Sequence, residues 1–284
     1  CLAGFVLGVG APLLAFSLQS GNLGGGLMGP ANFWARLVDG VAISRASSTI
    51  FATLGTALVS LLVIPVLEIV YSLLFGADLH STQLLRTAYV ATCVSFTSAI
   101  CSGMVSRVAT DRHLGVFQEV HSWRRFDAAY WLAAALVPVI FATTTAVIAL
   151  LGVRLVAWGQ AGHPNLASLL GLFGLSLVCG VLLGVGAGGI GVDLSDPYAG
   201  ANTVTALLPI FTGVIVPVKY YPVWLSWFSY VTPLARSFNQ PALVLNPAAV
   251  LADLIVAVFW ALVGVGLVWH AMKRLRQGLR REAL

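Results

Sequence analysis

Two lysines stand in 284 residues, and charged residues of all kinds make up only 9% of the chain. An ordinary globular protein carries roughly 25%, so charges this sparse cannot cover a water-facing surface. Neither Lys219 nor Lys273 follows a glycine-rich phosphate loop, so the sequence has no Walker A motif and brings no ATP-hydrolysing motor of its own. It also lacks HExxH and the GxSxG nucleophile elbow. Its four cysteines, Cys1, Cys93, Cys101 and Cys179, form no CxxC and have no histidine pattern near them, which excludes a zinc site. Three of them lie in apolar runs and read as small buried hydrophobes. Cys1 stands where a mature lipoprotein begins, but its place is read as an accident of numbering. Glycine and proline are too scattered for collagen or a low-complexity linker. The basic excess, 15 against 10, sits at the ends of apolar runs and forms no stripe, which argues against a nucleic-acid partner.

What is present is apolar. Hydrophobic residues make up 59%, and mean hydropathy is +0.94. This is an all-α polytopic membrane protein. Its eight Trp, seven Tyr and fourteen Phe suit membrane interfaces. A spanning helix needs about 20 mostly apolar residues. Six segments qualify: 52–76, 87–106, 130–153, 166–191, 203–217 with its N-terminal flank, and 250–272. A seventh apolar stretch, 2–18, is rich in Gly and broken by Pro12. Whether it spans, re-enters or lies on the surface stays open.

Lys and Arg set orientation. With six alternating spans, eleven fall on one side and four on the other. The four are Arg86, Arg154, Lys219 and Arg236. The side with eleven holds the 107–127 loop and the basic tail 273–284, and is expected to be cytoplasmic, in a cell membrane of the bacterial inner-membrane kind.

Two segments outside the spans carry information. Residues 32–48 set Phe33, Trp34, Leu37, Val38 and Val41 among Asn32, Arg36, Asp39 and Arg45, roughly at helical spacing. That predicts an interfacial amphipathic helix, with an ordinary loop as the alternative. Residues 107–127 are the longest polar stretch, yet contain Val116, Phe117, Val120 and Trp123. A short helix that docks on a cytoplasmic partner accounts for both.

Acids at membrane depth mark functional sites by default. Glu68 lies well inside the first span, as a proton carrier would, or hydrogen-bonds to a neighbouring helix without titrating. Asp253, early in the last span, reads as an interfacial charge. Gly189 to Asp193 brushes against the pattern of intramembrane aspartic proteases with the wrong spacing. Asp193, Asp196 and Pro197 read as a turn or a cap.

The stretch from Pro209 to Gln240 narrows the choice. Thr212-Gly213 and Pro217 close a span; Pro222-Val223-Trp224-Leu225 and Val231-Thr232-Pro233-Leu234 follow. These residues are too proline-broken to span and too aromatic for a free loop, so short helices tucked into the outer leaflet are expected. The pattern resembles the permease subunit of type-2 ATP-binding-cassette exporters, which carry drugs, lipids and glycans. Ile64-Pro65-Val66-Leu67 through Leu74-Phe75-Gly76 resembles that family's first helix. Asp111-Arg112-His113-Leu114-Gly115-Val116-Phe117-Gln118-Glu119 resembles its coupling-helix region, with Gln118 where the usual Glu stands and the customary proline missing. The likeness covers about residues 32–272. Residues 1–31 lie outside it, as an added span or the tail of a preceding half.

The resemblance implies a six-span permease domain over 32–272, with an interfacial helix at 32–48, a coupling region at 107–127 and an outer re-entrant region at 218–240. It implies a second permease, identical or related, and two ATPase subunits that hold ATP and magnesium. Membrane lipid surrounds the assembly. Arg112, Gly115, Phe117, Gln118, Glu119 and Trp123 are expected to couple to the ATPase. Glu68, Tyr220, Tyr221, Trp224, Trp227, Phe228 and Tyr230 are expected in the pathway or its gate. Two alternatives stay open: a proton-coupled secondary transporter using Glu68, and a non-transporting membrane assembly subunit.

Overall fold

In a computed structural model of the chain, residues 84–123, 126–156, 164–214, 216, 218–240 and 243–276 are described, with 33, 34, 37, 38, 40, 41, 59, 63, 66, 67 and 70. Glu68, residues 1–31, most of the expected first span and the tail beyond Arg276 lie outside the described residues. Phe33, Trp34, Leu37, Val38, Gly40 and Val41 are helical, with Trp34 and Val38, four apart, exposed.

From Leu84 onward the described chain is helical, without strands: α1 (Leu84–His113), α2 (Val116–Trp123), α3 (Ala128–Val156), α4 (Leu166–Gly191), α5 (Ala199–Phe211), a 3-10 turn at Val218–Tyr220, α6 (Val223–Tyr230), α7 (Ala235–Phe238) and α8 (Pro247–Arg276). Among the described residues, α1, α3, α4 and α8 are long and apolar enough to cross a bilayer. At 1.5 Å per residue, even the 26 residues of α4 reach beyond the roughly 30 Å hydrocarbon core.

Local chemistry sets the boundaries. Asn165 opens α4 by accepting the Ala167 N–H at 3.3 Å, and Asp127 opens α3 by accepting the Ala129 N–H at 3.0 Å. Asn246 does the same for α8 through Ala248 at 3.0 Å, with Pro247 at the first helical position, where its missing N–H costs nothing.

The fifth expected span, 203–217, is shorter than its apolar run. The helix covers 13 residues and stops at Phe211, roughly 20 Å of helix against a hydrocarbon core of roughly 30 Å. Pro209 removes one backbone donor, and Gly213 turns the chain with φ +78.

The bundle is built around α1 and α4. Thr97 on α1 donates to the Ser176 carbonyl on α4 at 3.1 Å, and Phe96 stacks on Phe173 with ring centroids 4.3 Å apart. On the other side of α4 the backbone of α8 comes very close. A Cβ on Gly189 would lie 2.3 Å from the Gly264 carbonyl oxygen, so only glycine fits that crossing. Small residues permit such approaches between helices in lipid, where apolar side chains gain little from pairing. The outer faces of α3 and α8 expose Leu132, Leu136, Ile140, Leu251, Ile255 and Leu262, a surface suited to acyl chains. The helix ends then define two poles: a basic pole with α2, and an aromatic pole with α6 and α7.

Candidate functional site

At the basic pole, α1 ends in a reversal. The Leu114 and Gly115 N–H groups donate to Thr110 and Arg112 carbonyls, and Gly115 takes φ +75, a left-handed turn that favours glycine. The Glu119 N–H then donates to the Gly115 carbonyl at 3.1 Å, which starts α2.

Phe117 and His121 lie one turn apart on the inner face of α2, with 1% and 0% of their surface exposed. Their rings stack at 4.2 Å, and Tyr130 of α3 meets both edge-on. The His121 Nδ1–H donates to the Phe117 carbonyl at 2.9 Å. Burial pushes the imidazole below its ordinary range, against the opposing pull of that carbonyl and of Asp127. The Tyr130 hydroxyl donates to Asp111 Oδ2 at 2.9 Å, and Arg107 pairs with Asp111 Oδ1 at 2.8 Å. α2 is thus anchored to α1 and α3 by one aromatic and ionic cluster.

Arg112 faces sideways. Its Nη1 donates to the Gly191 and Leu194 carbonyls at 3.1 and 2.8 Å, at the C-terminus of α4, where unpaired carbonyls attract a cation. Asp193 in the same turn pairs with Arg274 of α8 at 3.5 Å, and Asp196 Oδ1 accepts the Tyr198 N–H at 2.9 Å. Asp196 thus closes a turn ahead of α5, as expected, while Asp193 ties that turn to α8.

The six residues expected to couple separate by position. Gly115 and Glu119 are exposed, Arg112 and Gln118 are half-buried, and Phe117 points inward as an anchor. Trp123 closes α2 in backbone only; its side chain is outside the described set. His113 and Leu114 are exposed beside Gly115, and neither was among the six residues expected from the sequence. The signal was available, because Leu114 is an apolar residue between a charged run and a glycine.

At the aromatic pole, a run of side chain–backbone bonds closes the folded-back segment between α5 and α8. The Thr212 hydroxyl donates to the Leu208 carbonyl at 2.6 Å, and Asn239 Nδ2 donates to the Thr212 and Ala235 carbonyls at 3.0 and 2.7 Å. Tyr221 donates its hydroxyl to the Ile210 carbonyl, and burial raises its phenol above the usual range. Phe211 stacks on Phe228 at 5.2 Å, Trp260 Nε1 donates to the Val231 carbonyl at 2.8 Å, and Arg86 of α1 donates to the Phe238 carbonyl. These bonds satisfy backbone that membrane surroundings would leave unpaired. Tyr220, Trp224, Trp227, Phe228 and Tyr230 remain exposed, and Tyr221 is half-buried.

Asp253 corrects the sequence reading. It is 0% exposed, not an interfacial charge. Its Oδ2 accepts the Ser237 N–H at 2.9 Å and its Oδ1 accepts the Arg236 N–H at 3.4 Å, so it caps α7 from α8. The Arg236 guanidinium stands 3.7 Å away and donates from Nη2 to the Tyr230 carbonyl at 2.9 Å. Arg86, Asp253 and Trp260 thus hold the folded-back segment from neighbouring helices.

No curated protein matches the chain. The family model described as ABC-2 type transporter matches residues 40–240, which takes in α1 to α7 and both poles. A match over more than half of the chain, together with its long apolar helices, makes this chain a member of the ABC-2 type transporter family: a multi-pass membrane permease component that works with an ABC ATPase.

Proposed function

We propose that this permease exports an amphipathic drug, lipid or glycan-like substrate, driven by two ATPase subunits that bind ATP and magnesium and paired with a second permease, identical or related. One observation carries the reading: α2 is a separate eight-residue helix, bolted to the bundle by Phe117 and His121, with Leu114 and Gly115 exposed at its start. A helix held this way moves as a unit with α1 and α3 when pushed. The push comes from an ATPase whose affinity differs between two permease conformations.

In this reading the basic pole and tail are cytoplasmic, in a bacterial inner membrane, and the aromatic pole faces outward. The clasp of Arg112 on the turn after α4 links the coupling region to α5, which leads into the re-entrant fold. Tyr220, Tyr221, Trp224, Trp227, Phe228 and Tyr230 then form the exit gate.

Transport by the permease–ATPase complex in proteoliposomes tests the reading. Mutating the ATPase Walker lysine is expected to abolish substrate movement, and an uncoupler is expected to leave it intact while ATP lasts. Loss of transport with an uncoupler at full ATP would instead favour proton coupling through Glu68. A complex without transport under any condition would favour an assembly subunit.

A further inference from the structure

One face of α8 is open along its whole length. Leu251, Ile255, Phe259, Leu262 and Gly266 are exposed, three or four positions apart, and exposed Trp269 and Lys273 continue the same row. The opposite face is used in packing. Asp253, Ala257, Ala261, Val268 and Met272 are buried, the last two in the core that holds Phe117. The rotation of α8 is therefore fixed, and its outer row stays outward.

That row matches a bilayer in length. From Leu251 to Trp269 the helix rises roughly 27 Å, against a hydrocarbon core of roughly 30 Å. Trp269 thus falls at the boundary where indole rings collect. Lys273 follows roughly 6 Å further on, at headgroup depth. Its long apolar stem lets the ammonium reach a phosphate there while the methylenes stay against the helix.

The bases at this end of α8 differ in what they face. Arg274 is turned to the end of α4, where it pairs with Asp193 at 3.5 Å. Lys273 is exposed and has no ion-pair partner among the described residues. Arg276, the last residue of α8, stands three positions beyond Lys273, the spacing that returns to the same face. Residues 273–284 hold five bases, Lys273, Arg274, Arg276, Arg280 and Arg281, against one acid, Glu282. Basic clusters of this kind beside a membrane span attract anionic lipid.

We propose that Lys273 and Arg276 bind the phosphate of an anionic phospholipid in the leaflet at the basic pole, with its acyl chains along Leu262, Gly266 and Trp269. An occupant of this face must bring apolar chains and negative charge together, because the acyl-facing row runs directly into the basic pair. An ATPase subunit supplies no acyl chains, and a soluble anion leaves the row unused. The site does not depend on the direction of transport or its energy source.

Native mass spectrometry of the full chain, released from dodecyl maltoside with equal amounts of dioleoylphosphatidylglycerol and dioleoylphosphatidylcholine, tests it. Phosphatidylglycerol adducts should outnumber those of phosphatidylcholine. Lys273→Gln and Arg276→Gln should each weaken phosphatidylglycerol binding by about five-fold, the weight of one basic residue at an anionic surface. Lys273→Arg should keep it, and Arg274→Gln should leave it nearly unchanged, since that guanidinium is held on Asp193. Equal retention of the two lipids overturns the proposal. A loss in Arg274→Gln as large as in Lys273→Gln also overturns it, because attraction would then be spread over the whole tail. A dimer mass that vanishes in Lys273→Gln, without lipid preference, would give the face to a second copy and overturn it too. Should Arg276→Gln fail to fold, Lys273→Gln decides, because its side chain is exposed. Unchanged phosphatidylglycerol affinity in that variant refutes the site.

Discussion

Arg112 holds Gly191: its guanidinium donates to that carbonyl at 3.1 Å, and the same Nη1 reaches Leu194 at 2.8 Å. Arg112, in the last turn of α1, thereby grips the end of α4, 79 positions later in the chain. Arg112→Ala removes both bonds, for a loss of about 1–3 kcal/mol in stability. Thermal unfolding should show that modest loss. Transport in the ATPase complex should fall far more than ATP hydrolysis does, because the link between coupling region and α5 is gone. Equal losses in both would mean that Arg112 only stabilises the bundle.

Phe117 and Leu114 separate anchoring from docking. Phe117→Ala empties a buried ring site, and about 3–5 kcal/mol should be lost, read as a lower unfolding midpoint. Leu114→Asp alters a side chain 51% exposed, so stability should change by about 0.5 kcal/mol or less. Its effect belongs in co-purification with the ATPase, which should drop. A Leu114→Asp chain that still binds ATPase normally would move the docking surface elsewhere.

His121 gives the coupling region a pH dependence. Its folded pKa is lowered by burial, so the unfolded chain binds the extra proton first. Stability is full above about pH 6.5, the ordinary imidazole value, and falls as pH drops through it toward the folded value. Unfolding midpoints measured between pH 5 and 8 should therefore decline on the acid side. In His121→Phe that decline should be smaller. An identical acid profile in the variant would rule out His121 as its source.

Asp253 should matter more than its place near a helix start suggests. Asp253→Ala removes the acceptor of the Arg236 and Ser237 N–H groups and the carboxylate 3.7 Å from the Arg236 guanidinium, and a loss of about 1–3 kcal/mol is expected. Limited proteolysis should then cut the 218–240 region faster in intact membranes. Protection equal to wild type would show that α7 is held by Asn239 and Arg86 instead.

Much of this molecule was readable from residue order. α4 starts and stops where its apolar run does, because Asn165 and the turn at Asp193 are local signals. The reversal at Gly115 and the helix that follows were readable for the same reason. Asp253 was misread because its partners, Arg236 and Ser237, approach only after the chain folds back. The fifth span was drawn too long, since hydropathy continues through Val214 and Val216 while backbone geometry ends the helix at Phe211.

Scarcity of charge and the apolar runs determined by themselves that this chain lives in a bilayer as a set of helices, and the proline–aromatic stretch supplied the resemblance that implied a permease. Those properties depend on side-chain transfer energies and near-neighbour backbone limits, which act within a helix length. Which buried charges hold which turns was decided only in three dimensions. Arg112 on Gly191, Asp253 on Ser237 and Arg86 on Phe238 join residues distant in sequence, and in low-dielectric surroundings each unpaired group must find its partner wherever the packing of α1, α4 and α8 brings it.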